Sequence, residues 1–596
     1  MGQQIRLSQF ILNYGPGAII ESTAGPRLIL SFEKGLFNGR RISRGRILNP
    51  EDFEINCQVF TQTLRPGVRI FRVPSNASLN LDERTDLYDT VYFQEWELCT
   101  RYGVLYKREC PRICRDNSCN SSDPRRAIRF VRACPAGHLD DIDWNYMVHR
   151  YNGRCSSEWF LWERKGPRLK DITLKCPKCG VEITLGSIYA TDMPCSGRLP
   201  EAGTWQRCDK RMRVIQRQGS NLRVAETVTI FTVPPAHTVL HRHLGNKTIL
   251  DLILYSQKTN NSELSRNELE KILNFLVARG SISEMTKEEI LKYDWEIIKK
   301  AIEDVSSPAA ADYRDMLVKE FNRMIDASIY GVSPVNPGEP DYLFEVVKSR
   351  IRKIKTPGNR VLRVVPVSRL NAVIIQLGYK RFMVSNLDEI KLVDIAYQDS
   401  YGNKWLPGVE VPGEGIFLML DENDGWHFEM KGNAFKKWYE TYMNNSQEYP
   451  ENLFRCENAR DELHPVFVWW HTLAHMINRA ISIDSGYSAA AIRERIYIEI
   501  DDLGRARGGI FLYTVQPGSD GTLGGLISLV PHFENIILRA VENIENCSND
   551  PVCIETAFAP GRSTGAACYA CSLISETSCE HRNLWLDRKI LVENIP

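Results

Sequence analysis

No stretch of this 596-residue chain approaches about eighteen consecutive apolar residues, so no membrane-spanning helix is expected. The opening MGQQIRLSQF has neither an apolar core nor a small-residue cleavage site, so a secretory signal is not expected. Arg6 stands where a myristoylation signal needs Ser or Thr. No GxxxxGK followed by Ser or Thr occurs, which excludes an autonomous ATPase of the P-loop class. An excess of charge is missing too. Lys and Arg number 75 against 74 Asp and Glu, a net charge of +1, so nucleic-acid contact would have to come from local patches. There is no repeat of fixed period and no low-complexity tract. A cytoplasmic protein is expected, and disulfides are disfavoured there.

Cysteine, by contrast, is plentiful and clustered. Of 17 cysteines, nine lie between Cys110 and Cys208 and five between Cys547 and Cys579; only Cys57, Cys99 and Cys456 fall elsewhere. Clustered thiols in a reducing compartment read as metal ligands. Zinc takes four thiolate or imidazole ligands in a tetrahedron, and a Cys-x-x-Cys turn delivers two of them. The knuckle CPKCG, with Cys176 and Cys179, predicts one zinc closed by Cys195 and Cys208. Cys110, Cys114, Cys119 and Cys134 predict a second, in which His138 of CPAGH could replace one cysteine and Cys155 is a further candidate. Cys568, Cys571 and Cys579 predict a third, its fourth ligand being Cys553 or Cys547. Four protein ligands leave no open position, so such metals fold loops and do no chemistry.

The texture of the chain suggests an α+β multidomain fold. Its parts would be an N-terminal domain (1–105), a zinc-ribbon-like cysteine-rich module (106–225), a helical region (226–335), a β-rich region with a basic run (336–460) and a mixed α/β zinc-binding domain (461–596). Ser265 and Glu268 form a capping box before Leu269, Ile272, Leu273 and Leu276, spaced for one helix face. TKEEILKYDWEIIKKAIEDV repeats the device with Thr286 and Glu289, and another helix is expected in AAADYRDMLVKEFNRMI. GEGIFLML reads as a short strand after a glycine turn. HPVFVWWHTLAHMINRAISI reads as a helix with Pro465 in its first turn. RIYIEI and GIFLYTV read as a hairpin, and GSDGTLGG leads into a helix over 526–544.

Catalytic signals are weak. His471 and His475 in HTLAH lie at i, i+4, as in a zincin, but Thr472 stands where the general base must be Glu, so two packed histidines are expected. GSDGTLGG lacks the lysine of a phosphate loop and reads as a turn. Glu499, Asp501 and Asp502 could hold magnesium in a nuclease, though a solvated turn is the simpler reading. Two runs are locally basic. One carries Arg350, Arg352, Lys353 and Lys355, the other Arg211 and Arg213, and both suit phosphate contacts or an acidic protein partner.

SQFILNYGPGAII, RFVRACPAGHLDDIDW, CPKCG, GEGIFL, HTLAH, GYSAAAIRERIY and GAACYACSLISETSCEHRNLWLDR occur together and in this order. In that combination, over nearly the full length, the chain resembles the B subunits of the bacterial anti-phage system DISARM. Residues from about 460 onward resemble the cysteine-rich domain that ends MrfA-like DNA-repair helicases. The resemblance implies a zinc held at the positions of Cys568, Cys571 and Cys579, with Cys553 the nearer match for the fourth and Cys547 a supernumerary cysteine. It also implies a non-catalytic subunit that pairs with DrmA, a separate helicase supplying the ATPase, on DNA that is single-stranded or carries a single-stranded overhang. The competing expectation is a metal-dependent nuclease acting on foreign DNA through Glu499, Asp501 and Asp502 or the HTLAH histidines.

Overall fold

The computed structural model describes residues 5–22, 25–41, 47–55, 57, 60–107, 111, 128–150, 155–231, 233–234, 238–260, 264–306, 312–332, 344–381, 391–421, 429–444, 463–485, 490–515, 525–558, 564–575 and 578–596. The fold is mixed α+β. Its chain forms two units, each discontinuous in sequence. The first comprises Met1–Cys57, Gly67–Thr229 and Val373–Glu410; the second comprises Gln58–Pro66, Ile230–Ala372 and Val411–Pro596. This differs from a division into five consecutive segments. Two long strands, Val361–Lys380 and Lys404–Leu420, each contribute residues to both units, so a reading that cuts the chain at composition changes cannot find the boundary.

Short antiparallel strands make up much of the first unit, and a parallel pairing joins Val68–Arg72 to residues 404–408 of the long strand Lys404–Leu420. One sheet of five runs Glu182–Thr184, Ile172–Lys175, Trp159–Arg164, Val104–Lys107 and Trp96–Cys99; another of four runs Met193–Pro194, Arg211–Gln216, Phe130–Ala133 and Leu139–Asp140. The two-residue period of a strand is plain in RMRVIQ: Arg211 and Arg213 face outward while Met212 and Val214 are buried. A small core of Trp96, Leu105, Trp144, Met147, Phe160 and Leu174 lies behind the five-stranded sheet. Strands of two to six residues close little apolar area, so a module of this kind depends on other staples.

The second unit starts with helices Thr238–Leu244, Lys247–Asn260, Arg266–Ala278, Glu284–Leu291 and Trp295–Ser306, packed around Leu240, Ile253, Leu269, Leu273 and Ile298. The capping box of Ser265 and Glu268 is formed in both directions. The expected helix from Thr286 is two helices instead. Ser283, not Thr286, is the cap, accepting the Thr286 N–H at 3.1 Å, and the helix ends at Leu291 before a second begins at Trp295. Helix Tyr313–Tyr330 follows, capped by Asp312.

Beyond these helices the unit forms an antiparallel sheet. Arg352–Lys355 pairs with Val361–Val364, and residues 413–419 pair with Ala506–Val515, which pairs in turn with Arg493–Ile500. Gly413 and Gly415 do not make the expected turn. They lie inside a straight strand, where a Cβ would fall 2.4 Å from the Thr514 carbonyl oxygen and 2.4 Å from the Phe511 ring, so glycine there serves close approach rather than bending. Helix Pro465–Ser485 lies against this hairpin, helix Phe533–Glu545 and helix Arg588–Glu593. It is apolar on nearly every side: from Pro465 through Asn478 every residue is buried. The expected helix over 526–544 begins as a tighter 3-10 turn, Ile527–His532, with Pro531 inside it. Of GSDGTLGG, residues 518–524 fall outside the described part. Among the described residues no helix is long and apolar enough to cross a membrane.

Candidate metal centres

Pairing of short strands brings the N-terminal cysteines together in two groups. Ala133 pairs with Arg213, which sets Cys134 beside the segment that carries Cys208 and Cys195. Cys134, His138, Cys195 and Cys208 have ligand atoms all within 4.8 Å of one another. The Cys195 and Cys134 sulfurs are 3.5 Å apart, and His138 Nδ1 lies 3.3 Å from the first cysteine of the group and 3.5 Å from Cys195. The Gly197 N–H donates to the Cys195 sulfur at 3.3 Å. Gly197 has φ +69°, and a Cβ there would sit 1.8 Å from the Gln206 carbonyl oxygen, so this turn admits only glycine. Buried Arg381 donates to the Gly137 carbonyl at 2.9 Å and fixes the turn beneath His138.

Lys175 pairs with Leu161, which places the CPKCG knuckle next to Cys155. Here His149, Cys155, Cys176 and Cys179 converge within 4.8 Å. His149 closes the short helix Trp144–His149, and its Nδ1–H donates to the Asn145 carbonyl at 3.0 Å. That bond leaves Nε2 with the lone pair, and Nε2 has no hydrogen-bond partner.

The third group lies in the second unit: Cys547, Cys553, Cys568 and Cys571, again within 4.8 Å. Sulfur separations are 3.5 Å for Cys547–Cys568, 3.7 Å for Cys553–Cys571 and 3.6 Å for Cys568–Cys571. A tetrahedron with arms of about 2.3 Å has edges of roughly 3.8 Å, so these sulfurs stand close to the spacing zinc imposes. The Cys568 carbonyl accepts the N–H groups of Cys571, Ser572 and Leu573, which is the tight turn of a knuckle. Buried Arg588 donates to the Ile544 carbonyl and pairs with Asp550 at 2.5 Å, holding the loop that carries Cys547 and Cys553.

Electrostatics within the groups point the same way. Burial opposes ionisation of Cys568, but hydrogen bonds from the Cys571 N–H, Asn549 and Cys547 outweigh it and bring the thiol down to about 6. Its neighbours Cys547 and Cys553 are pushed up, chiefly by burial. Burial likewise opposes ionisation of Cys176, and backbone hydrogen bonds, that of the Cys179 N–H first and that of the Lys178 N–H with it, bring it to about 6. Burial and the adjacent thiols hold Cys155 up at about 11. Cys134 is lowered to about 4, mainly by the hydrogen bond with Cys195. Once one thiolate has formed, each group resists a second. A bound dication removes that conflict and lets all the ligands ionise.

The ligand sets therefore differ from those the spacings suggested. The quartet Cys176, Cys179, Cys195 and Cys208 is split between two groups, each completed by a histidine and one further cysteine. A knuckle fixes its own two ligands locally, but the pair that closes the site is chosen by strand pairing. Cys134 joins Cys195 and Cys208; Cys110, Cys114 and Cys119 lie outside the described residues. In the C-terminal group both Cys547 and Cys553 are members, and Cys579 is not.

Residues 473–572 match the family model described as the MrfA Zn-binding domain. This part of the second unit is similar to MrfA-type zinc-binding domains. Its match spans Cys547, Cys553, Cys568 and Cys571, the quartet suited to the metal, and stops short of Cys579. Residues 6–224 match a family described as a domain of unknown function, DUF8724. Over 500 residues the chain is 28% identical to the DISARM protein DrmB of Bacillus paralicheniformis, an alignment covering 78% of this chain and 81% of that protein. The chain is similar to DrmB over most of its length. The crystal structure of DUF1998 helicase MrfA bound to DNA matches 34% of this chain and 20% of that one, at 16% identity and a TM-score of 0.17, too loose a superposition to assign a shared fold.

The remaining candidates fall as follows. Arg350, Arg352, Lys353 and Lys355 are all exposed on and before one hairpin strand of the second unit. Lys353 and the buried Arg363 share Asp421 at 2.6 Å. In the first unit, exposed Arg211 and Arg213 bond to Asp192, whereas Arg217 of the same run is buried and Arg223 half-buried; Arg217 pairs with Glu21 and Arg223 holds backbone carbonyls. Only part of that basic run is therefore surface. Glu499 is paired with Arg507, while Asp501 is paired with Arg505 and accepts the N–H groups of Leu503 and Arg505, the work of a hairpin turn.

Proposed function

We propose that this chain is a non-catalytic, zinc-stapled subunit of a DISARM-type anti-phage complex that helps a separate helicase/ATPase subunit bind DNA. The observation that carries the reading is the similarity to DrmB along 78% of the chain. The similarity to MrfA-type zinc-binding domains agrees with it, and the exposed basic hairpin of the second unit offers a surface for phosphates. Zinc at the C-terminal quartet would tie the loop after helix Phe533–Glu545 to the knuckle at Cys568. The two N-terminal groups, with three thiols and one imidazole each, fit zinc equally well. All three sets are closed by protein ligands and act on folding.

The chain would act by differential binding. Contacts it adds to the DNA-bound state of the pair favour that state by their own free energy, and about 1 kcal/mol of coupling shifts affinity several-fold. The test is ATP turnover against DNA concentration for this chain, for its helicase partner and for the mixture, with a labelled overhang DNA in magnesium or manganese. Turnover is expected only with the helicase, and altered in DNA dependence by this chain. A mixture indistinguishable from helicase alone contradicts the reading. Cleavage of the DNA by this chain, abolished by Asp501→Ala, would replace it with a nuclease.

A further inference from the structure

A fourth cluster lies in the core of the second unit, made of residues other than those of its cysteine quartet. His471, His475, Glu494 and Cys579 offer ligand atoms within 4.8 Å of one another, and the first three are completely buried. One turn of helix separates the histidines and puts both on one face. Glu494 sits in the strand Arg493–Ile500, and Cys579 is joined to it by a parallel bridge in which the Glu494 N–H donates to the Ser578 carbonyl at 3.0 Å.

Hydrogen bonding alone does not account for this arrangement. Both Nε2 atoms meet the same Glu494 oxygen, at 2.9 Å from His471 and 2.8 Å from His475. The two Nε2 atoms are 3.1 Å from each other, and His471 Nε2 is 3.2 Å from the Cys579 sulfur. His475 Nδ1–H donates to the Ser572 carbonyl at 2.7 Å, so in the neutral ring its Nε2 is a bare lone pair. Four lone-pair donors thus face one point with few protons to separate them. The second Glu494 oxygen is buried with no hydrogen-bond partner, and among the described residues the ion pairs of this carboxylate are with the two histidines alone. Arg495, next in sequence, turns the other way to Glu320 and Glu580.

We propose that these four residues bind a divalent transition metal, zinc by the donor set, as a second structural centre in this unit. Two neutral imidazoles, a carboxylate and a thiolate balance a dication to zero charge, which is the form in which an ionised cluster is cheapest to bury. Ligand distances of about 2.0–2.3 Å require only a few tenths of an ångström of expansion from the spacings described. Such a metal pins three segments remote in sequence: the core helix, the hairpin and the loop at Cys579. Ser572, whose carbonyl orients His475, directly follows the zinc ligand Cys571. The two centres of this unit therefore share a supporting turn. Full enclosure assigns the metal a structural and not a catalytic role.

X-ray absorption at the zinc edge, on the unmutated full chain purified without added metal, tests the assignment independently of any folding defect. With four centres the ligands comprise eleven sulfurs and five nitrogens or oxygens; with three they comprise ten and two. A nitrogen and oxygen share near a third, with four metal equivalents per chain, is expected. Glu494→Gln and His475→Ala should each remove one equivalent and leave the sulfur-rich centres loaded, whereas Cys568→Ser should remove a different one. A share near a sixth with three equivalents, or full retention in Glu494→Gln, overturns the fourth centre and leaves the cysteine centres standing.

Discussion

Replacing Arg350, Arg352, Lys353 and Lys355 by alanine should weaken DNA binding in a way that salt reveals. All four are exposed, but they are not equivalent. Lys353 already shares Asp421 with Arg363 and has less counterion to release, while Arg350, Arg352 and Lys355 have no acidic partner among the described residues. The quadruple variant should therefore lose about three effective phosphate contacts. Each contributes roughly 0.7 to the slope of log affinity against log salt for a single strand and about 0.9 for a duplex, so the slope should flatten by roughly 2 to 3 units. Between about 50 and 200 mM salt that amounts to roughly 20- to 40-fold less salt-induced weakening than in the parent. The measurement is fluorescence anisotropy of a labelled overhang DNA, titrated with chain and helicase together at three salt concentrations. The loss should be similar for unrelated sequences, because phosphate contacts carry no base information. Parallel slopes in parent and variant would refute the reasoning, and parallel slopes with a lost helicase interaction would show that the hairpin meets protein.

Cys176→Ser together with Cys195→Ser should cost two zinc equivalents by metal analysis; a loss of one would restore a single quartet of Cys176, Cys179, Cys195 and Cys208. Cys571→Ser should lose one equivalent and much of the soluble yield, because metal binding and folding are linked in such modules. Gly197→Ala should destabilise the first unit by more than about 1 kcal/mol in urea titration, since φ +69° and the Gln206 carbonyl both reject a Cβ, and zinc affinity at Cys195 should fall with it. Glu320→Gln should lower the stability of the second unit by about 1–3 kcal/mol, because it leaves the buried Arg495 guanidinium with one carboxylate instead of two and disturbs the Tyr497 hydroxyl bonded to the same group. A change below about 1 kcal/mol would show that solvent reaches this network.

What the sequence made legible was what is local. The capping box at Ser265, the helix from Pro465 and the hairpin around Asp501 are each decided by a handful of neighbouring residues, and each is formed as read. Metal ligands were recognisable as a set because cysteine is scarce elsewhere. Their partition was not, because it depends on which strands pair. Cys134 meets Cys208 through the pairing of Phe130–Ala133 with Arg211–Gln216, and no spacing rule contains that fact. A signal for the fourth cluster was nonetheless present. Five cysteines stand in the C-terminal region where a tetrahedron needs four, and Glu494 stands among the buried residues of its strand, paired with Leu512. The spare cysteine is Cys579, not Cys547, and it sits with the two histidines that seemed merely packed.

The enclosure of helix Pro465–Ser485 has a consequence for synthesis on the ribosome. Its wrapping is supplied largely by chain made later: the hairpin ending at Val515, the helix Phe533–Glu545 and the segment around Arg588, with the Trp469 indole N–H donating to the carbonyl of Asn594. A nascent chain that has delivered Trp469, Trp470, Leu473 and Ile477 must therefore carry them uncovered while more than a hundred further residues are added. Such surface is what chaperones hold and what aggregates when they are short. Yield in a heterologous host should thus depend on slow translation, low temperature and available zinc at the moment the last hundred residues emerge, more than on the final stability of the folded chain.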